Sequence, residues 1–480
     1  MTDSDTFDIE ALNALRLLGP DPADWVAERP GLDHNVTIVG GGQTGTAFAF
    51  ALRRAGIGKV TIIDAAADEN GAGIWLTRAR MNKLRTPKNL VGPELGLPAL
   101  SFQAWYEARH GAEAYAAIDR IPRTAWAAYL KWYRTFLGIE IRYGTRLARV
   151  EPADGAFRLH LESKGEPRIE TTRKIIFGNG ILGSGGAFIP EVLAKGLPRS
   201  LLAHTSDPID FSALKGKDVA VVGGAASAFD AAATALEAGA ASVRLFSRRE
   251  TLASVPILRV RGYPGAYDNY AYLPDAIRWH QAIRYRQAGS TPPPDSIERV
   301  LRFANFHLHL GAPWTEAHVR DGRAETTIKG ETFAFDYVIA GTGYFSDPNV
   351  RPELADFAED ILLWRDFYTP PADEQDAYLG AHPYLGFGHE YLEKEPGTAP
   401  FLKNIHVFNP SGFVSFGLPI GDVPSLKRDV PGVVARISRD LFLDDLPAHE
   451  RRITGTVPPD FEDSLYAGAV HGDRQKVAAD

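Results

Sequence analysis

The 480-residue sequence contains no cysteine. That absence excludes structural disulfides, thiolate metal sites, cysteine nucleophiles and any redox-active disulfide of its own. The chain also lacks an excess of positive charge. Its 52 Lys and Arg stand against 60 Asp and Glu, a formal net charge of −8, which argues against nucleic acid or an anionic membrane as a partner. No apolar run reaches the length of a bilayer-spanning helix. The opening Met1-Thr2-Asp3-Ser4-Asp5 is acidic and shows no secretory signal, so a cytoplasmic location is expected. There is no nucleophile elbow and no Ser-His-Asp spacing, so hydrolysis finds no support. His307-Leu308-His309 has no third ligand at metal-binding spacing, and the alternation of residues 306–310 suits a strand. No metal is expected.

What the chain does have is two glycine-rich segments, each following an apolar strand and opening a helix. The first runs from Val36-Thr37-Ile38-Val39 into Gly40-Gly41-Gly42-Gln43-Thr44-Gly45, and Asp64 ends the next strand. Glycines there permit a tight turn and let a pyrophosphate approach the helix N-terminus, while the acid accepts hydrogen bonds from a ribose diol. The second runs from Val219-Ala220-Val221-Val222 into Gly223-Gly224-Ala225-Ala226-Ser227-Ala228. Ala225 takes the place of the second glycine and Ala228 that of the third. After the strand Val243–Phe246 the chain reads Ser247-Arg248-Arg249 instead of an acid. An arginine pair suits a 2′-phosphate, although a solvated surface pair is the other reading. Two different nucleotides are therefore predicted. FAD would be held by Gly40, Gly42, Gln43, Thr44, Gly45 and Asp64. NADP(H) would be held by Gly223, Gly224, Ala226, Ser227, Ser247, Arg248 and Arg249.

The order of elements predicts an α/β chain with one nucleotide domain nested in the other. Residues 1–34 form an arm, residues 35–210 and 330–480 the FAD-binding domain, and residues 211–329 the NADP-binding domain. Residues 251–315 form an aromatic-rich insertion in the latter. Helices are expected over Thr44–Ala55, Arg123–Phe136, Ala231–Ala241 and Pro431–Phe442, and a strand meander over residues 147–177. Residues 71–123, irregular and rich in Pro, Gly and aromatics, suggest an active-site wall rather than a core. Tyr263, Tyr267, Tyr270, Tyr272, Trp279 and Arg284 suggest an aromatic or anionic ligand, with core packing as the alternative.

The two fingerprints, Gly73-x-Trp75, and Asp336-Tyr337-Val338-Ile339-Ala340-Gly341-Thr342-Gly343-Tyr344 together resemble the class B flavin-dependent monooxygenases. That superfamily includes flavin-containing monooxygenases, N-hydroxylating enzymes and Baeyer–Villiger enzymes. The last segment is similar to the D-x-x-x-[LF]-A-T-G-Y pattern of the N-hydroxylating branch, with Ala340 and Gly341 as departures. The family's F-x-G-x-x-x-H-x-x-x-[YWF] linker falls on residues 198–208, where only His204 survives. The resemblance implies a glutathione-reductase-like architecture with two Rossmann-like domains. It places Gly73, Trp75, Gly421 and Asp422 with FAD, and Thr342, Gly343 and Tyr344 with NADP(H). Thr86, Asn89 and His204 are its catalytic candidates, His204 as a swinging linker residue or a surface one.

The activity so implied is an NADPH-dependent FAD monooxygenase with O2 as co-substrate. A peroxide held on flavin C4a would pass one oxygen atom to a small molecule, at nitrogen or sulfur in preference to a ketone. Baeyer–Villiger oxygenation, a flavin reductase or oxidase with an external acceptor, and a non-catalytic flavoprotein remain open as alternatives. So does homodimerisation.

Overall fold

The computed structural model describes residues 3–471. Its first sheet is built around His34–Val39, which pairs in parallel with Val60–Ile63 on one side and with the second half of Glu166–Phe177 on the other. The long strand Glu166–Phe177 changes partner along its length. Its first half lies antiparallel to Ala156–Ser163 in a meander that ends in Thr145–Ala153. Its last residues also pair in parallel with Ile405–Val407, from much later in the chain.

The second sheet is wholly parallel, in the order Phe306–His309, Ser242–Phe246, Asp218–Val222, Tyr337–Ala340, Leu202–His204. Buried on both faces, its central strands are continuous apolar runs, and Val219, Ala220 and Val221 are fully enclosed. Ala231, Ala232, Ala233 and Ala235 let the helix Ala226–Glu237 settle directly onto this sheet. The second sheet lies in sequence between two strands of the first, so the nesting predicted from the order of elements is present. The two crossing segments pair with each other, Gly185–Ala187 against Tyr344–Ser346. α/β architecture with two Rossmann-like regions follows.

Four expectations change. The second sheet spans residues 202–340, wider than 211–329, because Leu202–His204 and Tyr337–Ala340 are strands of it. The expected insertion 251–315 is in fact shorter, because Phe306–His309 is the sheet's edge strand and Pro294–Leu301 packs on Ala226–Glu237. Residues 71–123 build a core of their own, in which Phe102, Trp105 and Tyr115 pack with Trp126, Tyr129 and Tyr133 of the helix Arg123–Phe136. Aromatic rings close this core mostly in tilted pairs, with Phe102 edge-on to Tyr129 at 5.6 Å. The last long helix begins earlier, at Val423, and runs to Asp444 through Pro431. Buried Val423, Leu426 and Val430 anchor the turns before the proline.

Of the N-terminal arm, residues 6–34 are docked. Phe7 and Ala11 of the helix Asp3–Leu17 are buried in the aromatic core, and Arg29 is ion-paired to Asp445.

Candidate active site

The first glycine loop is shaped by close backbone approaches. Gly40 has φ +113°, and a Cβ on it would overlap the carbonyl of Gly178, the turn that follows Glu166–Phe177. A Cβ on Gly45 would overlap the Gly40 carbonyl, so the helix Gln43–Arg54 lies against its own entry turn. Gly42 differs. A Cβ there meets nothing nearer than Gly73 Cα at 3.7 Å. Gly42 is also the N-cap of that helix, and no side chain caps the free amides of its first turn. An open, electropositive helix end with room at its glycine fits a pyrophosphate. Asp64 accepts from the Gly41 amide at 2.6 Å and from the Ala66 amide at 2.7 Å. Its carboxylate is thereby fixed at the loop's edge.

Gln43 joins three elements. Its Nε2 donates to the Gly421 carbonyl at 2.8 Å, and its Oε1 accepts from Trp126 Nε1 at 3.1 Å. Thr44 is buried beside Gly178 and Gly421. Asp422 caps the helix Val423–Asp444 by accepting from the Ser425 amide, and burial pushes its carboxyl up to about 6. Trp75 is half-buried, edge-on to Trp126 at 6.5 Å. Gly73 faces Gly42. The FAD candidates from Gly40 to Gln43, with Gly73, Trp75, Gly421 and Asp422, therefore converge on one loop.

In the second loop Gly223 has φ +144°, and a Cβ on it would overlap the Gly341 carbonyl. Gly341, a departure from the family pattern, has a structural reason. A Cβ on it would stand 2.7 Å from that of Ala228, the residue in place of the third glycine. One side of this contact is Ala, so the other must be Gly. The helix Ala226–Glu237 also lacks a side-chain cap. Ala226 is buried and Ser227 exposed. Ser247 is buried under Gly224, and its Oγ accepts from the Arg249 amide at 3.2 Å.

The two arginines part company. Arg248 is exposed. Arg249 donates to the carbonyls of Gln287 at 2.8 Å and Ala288 at 3.0 Å, closing the C-terminus of the helix Asp275–Ala288.

Thr342 donates to the Phe188 carbonyl, and Gly343 accepts from the Phe188 amide at 2.9 Å. Together with Tyr344 they tie the two crossing segments. Thr86 lies half-buried on the strand Lys83–Pro87, and Asn89 is exposed in the turn beyond it. His204 is not a surface residue. It is fully buried in the second sheet, edge-on to Tyr344 at 5.1 Å, with Nδ1 2.8 Å from Ser206 Oγ. Burial lowers its pKa and keeps the ring neutral. Trp279 is core, against Trp364. Tyr270 is buried, whereas Tyr263, Tyr272 and Arg284 are exposed.

Sequence patterns gave no sign of three further residues. Trp126 steadies Gln43. Arg80 donates to the carbonyls of Thr205 and Asp207. Arg299 donates to the Arg80 carbonyl at 2.9 Å and pairs with Glu237 at 2.8 Å and Asp230 at 3.4 Å. Arg80 ties residues 71–123 to the loop after the strand Leu202–His204, and Arg299 ties them to the helices Pro294–Leu301 and Ala226–Glu237. Their partners lie far off in the chain, which is why no local motif marks them.

Two uncapped dinucleotide loops in nested Rossmann-like regions define a two-nucleotide flavoprotein. Residues 37–262 match the pyridine nucleotide-disulphide oxidoreductase family, though no residue here can supply a disulfide. The chain is 41% identical over 434 residues to the FAD-dependent urate hydroxylase of Xanthomonas campestris pv. campestris, covering 88% of this chain and 90% of that one. The fold is also that of the ornithine hydroxylase of Pseudomonas aeruginosa, at TM-score 0.66 and 19% identity over 85% of this chain and all of that one. L-lysine 6-monooxygenase from Pseudomonas syringae aligns at TM-score 0.64 and 17% identity, covering 85% of this chain and 99% of that one. The chain belongs to the class B flavin-dependent monooxygenase superfamily. It is an NADPH- and FAD-dependent monooxygenase that transfers oxygen to its substrate. Among the described residues, no helix is long and apolar enough to cross a membrane.

Proposed function

We propose that this enzyme hydroxylates urate or a closely related oxopurine, with NADPH as reductant and O2 as oxygen source. The observation that carries this reading is the 41% identity to a urate hydroxylase across nearly the whole of both chains. The charge of the surface beside the second loop supports it. Arg85, on the strand Lys83–Pro87, makes no side-chain hydrogen bond or ion pair among the described residues, and Asp230 and Asp295 act on it only at longer range. Urate-type oxopurines are weak acids that carry negative charge at neutral pH. A planar guanidinium matches such an anion in charge and shape.

In this reading FAD occupies the first loop, against Gly40, Gly42, Gln43, Thr44, Gly45, Asp64, Gly73, Trp75, Gly421 and Asp422. NADP(H) occupies the second, against Gly223, Gly224, Ala226, Ser227, Ser247 and Arg248, with Thr342, Gly343 and Tyr344 at its inner end. When bound, the flavin supplies hydride acceptance and oxygen activation. The chain's residues bind the two nucleotides, orient them and exclude water. The enzyme works in the cytoplasm on a small molecule, without nucleic acid. Ile9, Leu12 and Leu17, exposed on the docked helix Asp3–Leu17, support a homodimer.

The test is NADPH oxidation under air with urate, a primary amine, a sulfide and a ketone offered separately. Urate should accelerate oxidation at least about tenfold and disappear mole for mole with NADPH. Consumption of the amine or sulfide with urate left intact would overturn the assignment.

A further inference from the structure

The stretch after the last long helix exposes apolar side chains that its own fold does not cover. Among the described residues, eight large apolar side chains stand exposed between Leu443 and Val470. Val457 is 80% exposed and Leu465 77%. Single exposed apolar residues are ordinary, but a concentration of them on one segment marks a contact surface. The segment nevertheless has a shape. Beyond the helix Leu446–Ile453 it forms two short turns, Asp463–Leu465 and Ala467–Ala469. Phe461 and Tyr466 meet edge-on at 5.9 Å, and the Tyr466 hydroxyl donates to Asp463. These contacts are local. Every residue from Arg451 to Val470 is exposed.

A surface that could receive such a segment lies on the same chain. The Trp25 indole donates to the Ala55 carbonyl at 2.8 Å, and its ring lies 5.6 Å from that of His449. Arg54, beside Ala55, donates to the Gly19 carbonyl at 3.0 Å. The end of the helix Asp3–Leu17 is thereby joined through Trp25 to the helix Leu446–Ile453. Leu17, Leu18, Leu446 and Ile453 are exposed along this join. Charge supplies the match. Arg451 and Arg452 stand in the last turn of the helix Leu446–Ile453, and Asp460 and Glu462 lie on the segment that follows. None of these four side chains makes a hydrogen bond or ion pair among the described residues. Acids and bases thus stand unpaired on one chain, each beside exposed apolar groups. A two-fold axis between two copies satisfies both sets at once, because segment meets surface twice. A partner of another kind would have to offer a basic patch to the segment and an acidic one to the helix.

We propose that residues 454–470 are an exchanged arm. In the homodimer each copy's arm lies on the surface formed by the other's helices Asp3–Leu17 and Leu446–Ile453, with Asp460 and Glu462 against Arg451 and Arg452 across the axis. The proposal rests on the homodimer reading. Arm and surface together supply the roughly 20–30 residues a side that stable interfaces use.

The experiment uses the full-length holoenzyme and two charge-reversed forms of it. One carries Asp460→Arg with Glu462→Arg, the other Arg451→Glu with Arg452→Glu. Sedimentation velocity of wild type should show a dimer. Each variant alone sets like charges against each other, and its dimer dissociation constant should rise at least about tenfold. Mixing the two variants restores opposite charges at both contacts, so mixed dimers should form within about threefold of wild-type affinity. A chain ending at Ile453 should be monomeric where wild type is dimeric. Variants that dimerise as wild type does, charge-reversed or shortened, overturn the arm while leaving a dimer through another face. Weakened variants that mixing does not rescue overturn the exchange, because the arm then pairs within its own chain. A monomeric wild type would overturn the homodimer reading itself, and the arm with it.

Discussion

Gly42→Ala should yield a folded protein that has lost most of its flavin. The new methyl meets no protein atom within 3.7 Å, so the apo-protein's stability should change by no more than about 1 kcal/mol, the scale of an N-cap exchange. The same methyl projects into the space a pyrophosphate must enter, at an uncapped helix end. FAD affinity should fall by about a hundredfold or more, about 3 kcal/mol. Visible absorbance of the purified protein and its melting curve with and without added FAD check both halves. Gly45→Ala is the contrast, because its methyl would overlap the Gly40 carbonyl. That variant should lose stability and flavin together. Normal flavin content in Gly42→Ala would show that the phosphates lie elsewhere.

The two adjacent arginines should separate when mutated. Arg248 is exposed and uncommitted, so Arg248→Ala should raise the NADPH KM roughly tenfold to a hundredfold and leave NADH use nearly unchanged. Arg249 holds two carbonyls at the end of the helix Asp275–Ala288. Arg249→Ala should therefore lower the melting temperature, at a cost of about 1–3 kcal/mol, and should weaken use of both coenzymes alike. Steady-state kinetics with each coenzyme, read beside thermal unfolding, distinguish the two roles. A selective loss of NADPH use in Arg249→Ala, with unchanged melting, would return Arg249 to the phosphate site.

These arginines also show how far the sequence reaches. The glycine loops, Asp64 and the alanine-rich helices were legible because each depends on neighbours a few residues away, where spacing and residue type are enough. Arg248 and Arg249 are identical in local context. Only the return of the chain at Gln287 and Ala288 separates them, and no periodicity encodes that contact. Gly341 departs from the family pattern because Ala228, far off in the chain, is pressed against it. His204 matched a mobile linker motif, yet the strand Leu202–His204 pairs with Tyr337–Ala340 and buries it. In the sequence, residues 71–123 suggest a wall because Pro and Gly interrupt their periodicity. Their aromatic side chains nonetheless pack into a core once Arg123–Phe136 is laid across them.

In this enzyme one oxygen atom from O2 enters the substrate at the expense of NADPH. Turnover with NADPH and urate under isotopically heavy dioxygen, followed by mass analysis of the product, tests it most directly. The product should carry one labelled oxygen atom per NADPH oxidised. An unlabelled product, or NADPH oxidation that ends only in hydrogen peroxide with the substrate intact, would contradict it.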